Sequence, residues 1–383
     1  MTRRSIAAVL CTLAMVSCGY SSASTDFTGL VDVGAGRAIF AECRGAGSPT
    51  VVLIAGKGNG AEDWLQIIAP DDPVHSAPGD DLAVGVGTLQ RSDDAVLPAV
   101  ARLTRVCTYD RPDVRVDGAD VTTPRPQPHT LDLDIGDLHA LLTALGESPP
   151  YVLVSHSYGG LIAALYARTF PQTVGGLVMV DSVTELMADV VSAGALANWD
   201  AGNAVTSAQV REGVRLIDAF DRIDAAPPMP AVPAIVLSAD KPWRVDLLPA
   251  EATQGEQVTF ADWLAAQDRL TAALGALRVA ATDSGHDIYL YSPALVVDAI
   301  SDVVAVSGRG RRPAGSASEP PQSAEPTCSG LSRPSTAERS SSESVWPCDE
   351  TACATAALST SSRSPAMVSV QLISLGWSRQ STT

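Results

Sequence analysis

From Leu30 to about Val306 the chain repeats one rhythm, in which a short apolar run is followed by a polar break and then by a stretch with apolar positions at helical spacing. Leu30–Val33 and Arg37–Cys43 flank Gly34 and Gly36, the pattern of a hairpin with glycines at its turn. Thr50–Ile54, Arg105–Tyr109, Tyr151–Val154, Gly176–Val180, Ala234–Leu237 and Leu277–Ala281 are short and rich in Val, Leu and Ile. Such runs predict strands covered on both faces, because a sheet with one wet face would alternate apolar and polar residues. Helical spacing predicts helices over Leu131–Leu145, Leu161–Thr169, Phe260–Leu274 and Pro293–Val306. Strand–helix alternation of this kind predicts an α/β class, with a mostly parallel central sheet and helices on both faces.

Two stretches break the rhythm. Asp71–Asp94 is acidic, holds Pro and Gly, and reads as an insertion loop. Ser182–Val232 separates two predicted strands and is too long for a simple crossover. It contains Trp199 and places Val210, Val214, Ile217 and Phe220 along one helical face, which predicts a short helical lid over about 182–232. The main domain is therefore expected over 26–306. Residues 307–383 are rich in Ser, Pro, Ala and Thr without periodicity, the composition of a disordered extension. The abrupt start at Gly308–Arg312 also fits out-of-frame or unselected sequence.

The first residues, 1–25, have the pattern of an export signal. Arg3 and Arg4 precede an apolar stretch, Ile6–Val16, that is too short to span a bilayer stably. Met15-Val16-Ser17-Cys18 resembles a bacterial lipobox and makes Cys18 the expected lipidation site, with cleavage near Ser22-Ala23 as the alternative. The expectation is an exported cell-envelope lipoprotein, held to the membrane only through that anchor. In an oxidising compartment Cys43 and Cys107, each in an apolar segment, are candidates for a disulfide, or else two buried thiols. Cys328, Cys348 and Cys353 have no histidine nearby, so no metal site is expected there.

Composition adds little but exclusions. With 46% hydrophobic and 18% charged residues over 383 positions, the chain can bury a large core. A formal net charge of −17 repels phosphate backbones, so nucleic acid is not an expected partner.

The chemistry gathers at Tyr151-Val-Leu-Val-Ser-His-Ser-Tyr-Gly-Gly160, where an apolar strand runs directly into a helix. A sharp strand-to-helix turn exposes the side chain at its apex and demands small residues two positions to either side. Ser155 and Gly159 meet that demand around Ser157, and Gly160 permits close helix packing. The arrangement is the nucleophile elbow, here S-x-S-x-G, and Ser157 is the candidate nucleophile. A Ser-rich helix cap is the structural alternative. The helix start offers the Tyr158 backbone N–H to a developing oxyanion.

A serine hydroxyl needs a base. Of the five histidines, His75, His129, His139, His156 and His286, only His286 follows Ser157 in the order serine, acid, histidine. His156 lies inside the elbow and is expected to point away from the nucleophile. His75 and His129 fall in loops, and His139 falls on a solvated helix face. The acid is expected at a strand's C-terminal end, with Asp240 as first choice and Asp181 as its rival. The Lys57 backbone N–H, in Ala55-Gly-Lys-Gly-Asn-Gly60, is the expected second oxyanion donor. Lysine occurs only at Lys57 and Lys241. Both would fall on the catalytic face, either by chance or as a cationic rim for anionic substrates.

These residues resemble the α/β-hydrolase family, and in particular its bacterial exported serine-hydrolase members of the esterase and lipase type. The resemblance rests on Ser48–Leu53, Gly58–Trp64, Val106–Pro112, Ser155–Gly160 and Ser284–His286, and it covers about residues 30–306. It implies a Ser-Asp-His hydrolase acting on a small-molecule acyl substrate, carboxylic ester first, through an acyl-enzyme and without metal or organic cofactor. Dehalogenase and epoxide-hydrolase relatives use an aspartate nucleophile, so a serine argues against both. Amidase, peptidase or thioesterase chemistry and a non-catalytic ligand-binding lipoprotein are the alternatives. The chain departs from the family pattern at Ala55 and Ser155, and Asp113 stands where relatives often carry glycine.

Overall fold

The computed structural model describes residues 26–68, 89–115, 118–206, 211–242 and 254–307, together with the two-residue strand Ser369–Val370. The export signal, Cys18, His75, most of the Asp71–Asp94 insertion, Val210 and all of the tail beyond Ser307 except that strand lie outside the described residues.

Eight strands form the central sheet. They are β1 (Phe27–Gly34), β2 (Arg37–Arg44), β3 (Thr50–Ile54), β4 (Val106–Tyr109), β5 (Tyr151–His156), β6 (Val174–Val180), β7 (Ala234–Leu237) and β8 (Leu277–Val279). Their order in the sheet is β1-β2-β4-β3-β5-β6-β7-β8. β2 runs antiparallel to both its neighbours, and every other pairing from β4 to β8 is parallel. The helices are α1 (Val96–Ala101), α2 (Leu131–Ala144), α3 (Gly159–Thr169), α4 (Ala193–Ala204), α5 (Leu216–Asp224), α6 (Phe260–Leu274), α7 (Ile288–Tyr291) and α8 (Pro293–Ser307).

Successive residues of a strand face opposite ways, and both faces here are apolar. Val52, Ile54, Leu153 and Met179 pack into one core with α2, α3 and α6. Val51, Leu53, Val154 and Val178 pack into the other with α1, α7 and α8. This is the physical reason the strands read as unbroken apolar runs. α1 has no counterpart among the sequence expectations, since six residues containing Pro98 are too few to establish a helical period.

The Ser182–Val232 segment carries α4 and α5. Val214, Leu216, Ala219, Phe220 and Ile223 are buried, whereas Ile217, expected on the same face, is only half-buried. Cys43 and Cys107 sit directly opposite each other on β2 and β4 and form a disulfide.

Register decides where the chemistry can sit. Ile54 pairs with Ser155, His156 with Val180, and Val180 with Leu237. The C-terminal ends of β3, β5, β6 and β7 therefore finish level, and the loops that leave them share one edge of the sheet, where open α/β sheets bind their ligands.

Candidate active site

Ser157 leaves β5 with φ +51°, in the left-handed region that costs a non-glycine residue energy. Its neighbours explain how it is held there. A Cβ at Gly159 would stand 2.4 Å from the Ile54 carbonyl oxygen, and one at Gly160 would stand 2.5 Å from both Ser182 Cβ and the Val183 oxygen. Both glycines therefore serve close backbone approach. Ser155 takes the usual glycine's place without conflict because its hydroxyl has partners, Met179 Sδ at 3.3 Å and Ser182 Oγ at 3.2 Å. Among the residues from Ser155 to Gly160, Ser157 alone is not buried.

Ser157 and His286 line the same small cavity, with Lys57, Asn59, Tyr158 and Trp199 among the other lining groups. His286 Nδ1 lies 2.7 Å from Asp181 Oδ2. Asp181 follows the last residue of β6, has φ +43° and is wholly buried. Its other oxygen accepts the Ala239 backbone N–H at 2.9 Å and the Trp263 indole N–H at 2.9 Å. A buried carboxylate must be paired and hydrogen-bonded, and this one is.

The preference for Asp240 over Asp181 is corrected by this geometry. Asp240 is about one-third exposed and turns to the loop before His286. It accepts the backbone N–H groups of Asp283 at 2.9 Å and Ser284 at 3.0 Å. It shapes the turn that carries the histidine and does not reach the ring. Both aspartates end a Val/Leu-rich strand, so local pattern cannot separate them. Sheet order does: β6 is adjacent to the elbow strand and β7 is one strand further away.

Of the two lysines, expected on the catalytic face by chance or as a cationic rim, Lys57 lines the cavity, whereas Lys241 is bonded to Asp283 and is not among the lining residues. Burial draws the Lys57 amine down to about 8, against the opposing pull of the Glu212 carboxylate.

Within the loop after β3, four consecutive backbone N–H groups are committed. Gly58 donates to Glu212 Oε2 at 2.7 Å, Asn59 to the Gly56 oxygen at 3.1 Å, Gly60 to Asp63 Oδ2 at 2.6 Å and Ala61 to Asp110 Oδ1 at 2.7 Å. None can serve a substrate oxygen without leaving its acceptor. Burial pushes the Asp63 carboxyl up to about 6.

The other described histidines have contacts of their own. His156 is buried, with Nε2 3.2 Å from the His286 carbonyl oxygen and 3.4 Å from Asp287. Burial, with the neighbouring His286 ring, holds it well below the usual imidazole range. His139 is not on a solvated face: it is half-buried, stacked on Phe170 at 4.1 Å. His129 is buried and contacts Asp113 Oδ2 at 3.1 Å. Asp113 has φ +67°, a conformation that glycine adopts without strain.

Arg111, Glu212 and Trp263 also belong to the site. Arg111 lies in the Val106–Pro112 segment, where the sequence pattern gives it no role of its own. The indole of Trp263 and the carboxylate of Glu212 come from α6 and from the stretch before α5, where neither spacing nor motif marks them.

Among known proteins, residues 94–232 match the family described as alpha/beta hydrolase fold. That span includes Arg111, the elbow, Asp181 and Glu212, and ends before His286. The curated "Uncharacterized protein YqjL" of Bacillus subtilis (strain 168) is 27% identical over 138 residues, 36% of this chain and 41% of that protein. The chain thus spans about two-fifths of that relative's length. Similar solved structures include a hydrolase from Pseudomonas aeruginosa PA01, at 18% identity and TM-score 0.43, covering 72% of this chain and 97% of that one. Another is a thermophilic esterase from Thermogutta terrifontis, at 15% identity and TM-score 0.42, covering 74% and 99%. The strand order and the matched family together define an α/β-hydrolase fold.

Proposed function

We propose that this chain is a serine hydrolase that cleaves carboxylic esters through Ser157, His286 and Asp181, by way of an acyl-enzyme. One observation carries the reading. A histidine bound to a fully buried carboxylate shares a cavity with a serine held in a left-handed turn between strand and helix.

In the proposed reaction His286 accepts the Ser157 proton as the hydroxyl attacks the substrate carbonyl. Asp181 fixes the imidazole with its proton on Nδ1, leaving Nε2 as the base, and stabilises the ring once it is charged. The Tyr158 and Lys57 backbone N–H groups receive the oxyanion. Lys57 is favoured in its loop because it lines the same cavity as Ser157 and His286. His286 then protonates the leaving alkoxide, and a water activated by the same base releases the acid. An ester is favoured over an amide because an alkoxide asks less of the protonation step.

Export and lipidation at Cys18 are proposed with this function. The disulfide supports them, since such bonds persist in oxidising compartments. Palmitate labelling that is lost on Cys18→Ala would support the anchor, and labelling unchanged by that substitution would sink it.

The function is tested by intact mass after incubation with a fluorophosphonate. The parent is expected to gain one adduct and Ser157→Ala none, with hydrolysis of p-nitrophenyl esters lost in parallel. A folded parent that neither labels nor hydrolyses would overturn the reading in favour of a ligand-binding protein.

A further inference from the structure

The loop that carries Lys57 is held from outside by a buried ion pair, and one half of that pair belongs to the segment expected as a lid. Arg111 Nε lies 2.6 Å from Glu212 Oε1, and Arg111 Nη2 lies 3.0 Å from Glu212 Oε2. The two side chains are 2% and 0% exposed. Each also grips the loop. Arg111 Nη1 donates to the Ala55 carbonyl oxygen at 2.7 Å and Nη2 donates to the Gly56 carbonyl oxygen. Glu212 Oε2 accepts the Gly58 N–H at 2.7 Å.

The peptide bond is planar and trans, so its C=O and N–H point in opposite directions. The Gly56 carbonyl and the Lys57 N–H are the two ends of one such plane. By holding the Gly56 oxygen, Arg111 sets the direction of the Lys57 N–H, away from the guanidinium. The Lys57 carbonyl and the Gly58 N–H are the ends of the next plane, and Glu212 holds that one. Both planes flanking Lys57 are therefore fixed by one ion pair. Gly56 has no freedom to compensate by moving toward the elbow, since a Cβ there would already stand 2.9 Å from His156 Nδ1 and 3.0 Å from Ser157 Cβ.

We infer that Glu212, acting through Arg111 and Gly58, is a positioning residue for the oxyanion donor. The α4–α5 segment is thereby a structural part of the oxyanion site rather than a detached cover. The inference rests on the serine-hydrolase reading. Glu212 is wholly buried and is not among the residues that line the cavity. Its cost of burial is met by the guanidinium, which together with the neighbouring His129 holds the carboxyl well below the usual carboxylate range. His129 Nδ1 stands 3.6 Å from Glu212 Oε1, and the His129 backbone N–H donates to the Gly213 carbonyl oxygen at 2.7 Å, which holds the chain next to Glu212 in place as well.

The test compares the parent with Glu212→Gln and with the double variant Arg111→Met/Glu212→Leu, whose apolar pair removes both charges together and guards against misfolding from a lone buried charge. Removing one oxyanion donor elsewhere costs about 10²–10³ in kcat, and misdirecting one should cost about 10- to 100-fold here. KM for a neutral p-nitrophenyl ester is expected to stay within about threefold, because ground-state binding does not use the hole. Affinity for a trifluoromethyl ketone, which forms an oxyanion, should fall with kcat. Amide hydrogen exchange over residues 55–60 should rise in both variants, while exchange in β5 and β6 stays that of the parent. The exchange arm needs no turnover, so an unlabelled parent would defeat the hydrolase reading and leave this test standing. A folded variant with kcat within threefold of the parent, or with unchanged exchange over 55–60, would overturn the inference.

Discussion

Replacing Asp181 by Asn separates its proposed role from that of Asp240 with one atom changed. Asp181 Oδ1 accepts two N–H groups, from Ala239 and Trp263, and Oδ2 meets His286 Nδ1. An asparagine there can satisfy the two fixed donors only with its carbonyl oxygen, which leaves its NH₂ facing His286. The ring must then present Nδ1 as an acceptor, so its proton moves to Nε2. A ring protonated on Nε2 cannot take the serine proton. The side chain's shape and two of its three hydrogen bonds survive, so the protein should still fold. A loss of about 10⁴-fold in kcat, or ~5 kcal/mol of transition-state stabilisation, is the expected cost of a wrong tautomer. Asp240→Asn removes charge from a partly exposed group whose carbonyl oxygen can still accept one of its two backbone N–H groups. Its expected cost is less than about tenfold in kcat, with a loss near 1 kcal/mol for one hydrogen bond. The assay is steady-state hydrolysis of a short-chain p-nitrophenyl ester, with circular dichroism to check folding. An Asp181→Asn enzyme within tenfold of the parent, beside an Asp240→Asn enzyme reduced more than a thousandfold, would refute the assignment and restore Asp240.

Three further outcomes follow from the geometry. Gly160→Ala would drive a methyl against Ser182 and the Val183 carbonyl, and overpacking of that kind costs about 1–3 kcal/mol, or a Tm lower by about 2–10 °C in a scanning calorimeter. Cys43→Ser/Cys107→Ser opens a cross-link spanning 64 residues, worth about 4 kcal/mol by loop-closure entropy, and a denaturant midpoint equal to that of the oxidised parent would count against the bond. Burial raises Asp63 to about 6 from an ordinary value of 3.8, so the proton is bound more tightly in the folded state; the stability this contributes is present below about pH 4 and is lost as pH rises through about 6. Asp63→Asn should therefore flatten the change in Tm between pH 4 and 6, and an unchanged slope would show that Asp63 does not titrate there.

The class of fold was legible because burial on both faces of a parallel sheet leaves a one-dimensional trace. Val51 to Ile54 must all be apolar when alternate side chains enter two different cores. The elbow was legible for a similar reason. A strained turn packed on Ile54 and Ser182 tolerates no Cβ at positions 159 and 160, and that demand shows as Gly-Gly after a serine. His286 is legible by elimination, since one histidine alone follows Ser157. α1 is too short to show a helical period, and in α5 Leu216 is buried where the spacing predicts Ile217.

What the sequence alone determined is therefore the set of local demands: which runs bury, where the chain must turn sharply, and which side chain stands at the apex of that turn. Which carboxylate meets His286 was decided only in three dimensions. Asp181 and Asp240 satisfy the same local rule, and the choice between them comes from β6 lying beside the elbow strand and from the Trp263 indole closing on Asp181. The pairing of Arg111 with Glu212, 101 residues apart, was likewise decided by tertiary structure. Two charges can be buried together only where the fold brings them into contact, and nothing in the local spacing of either residue records that contact.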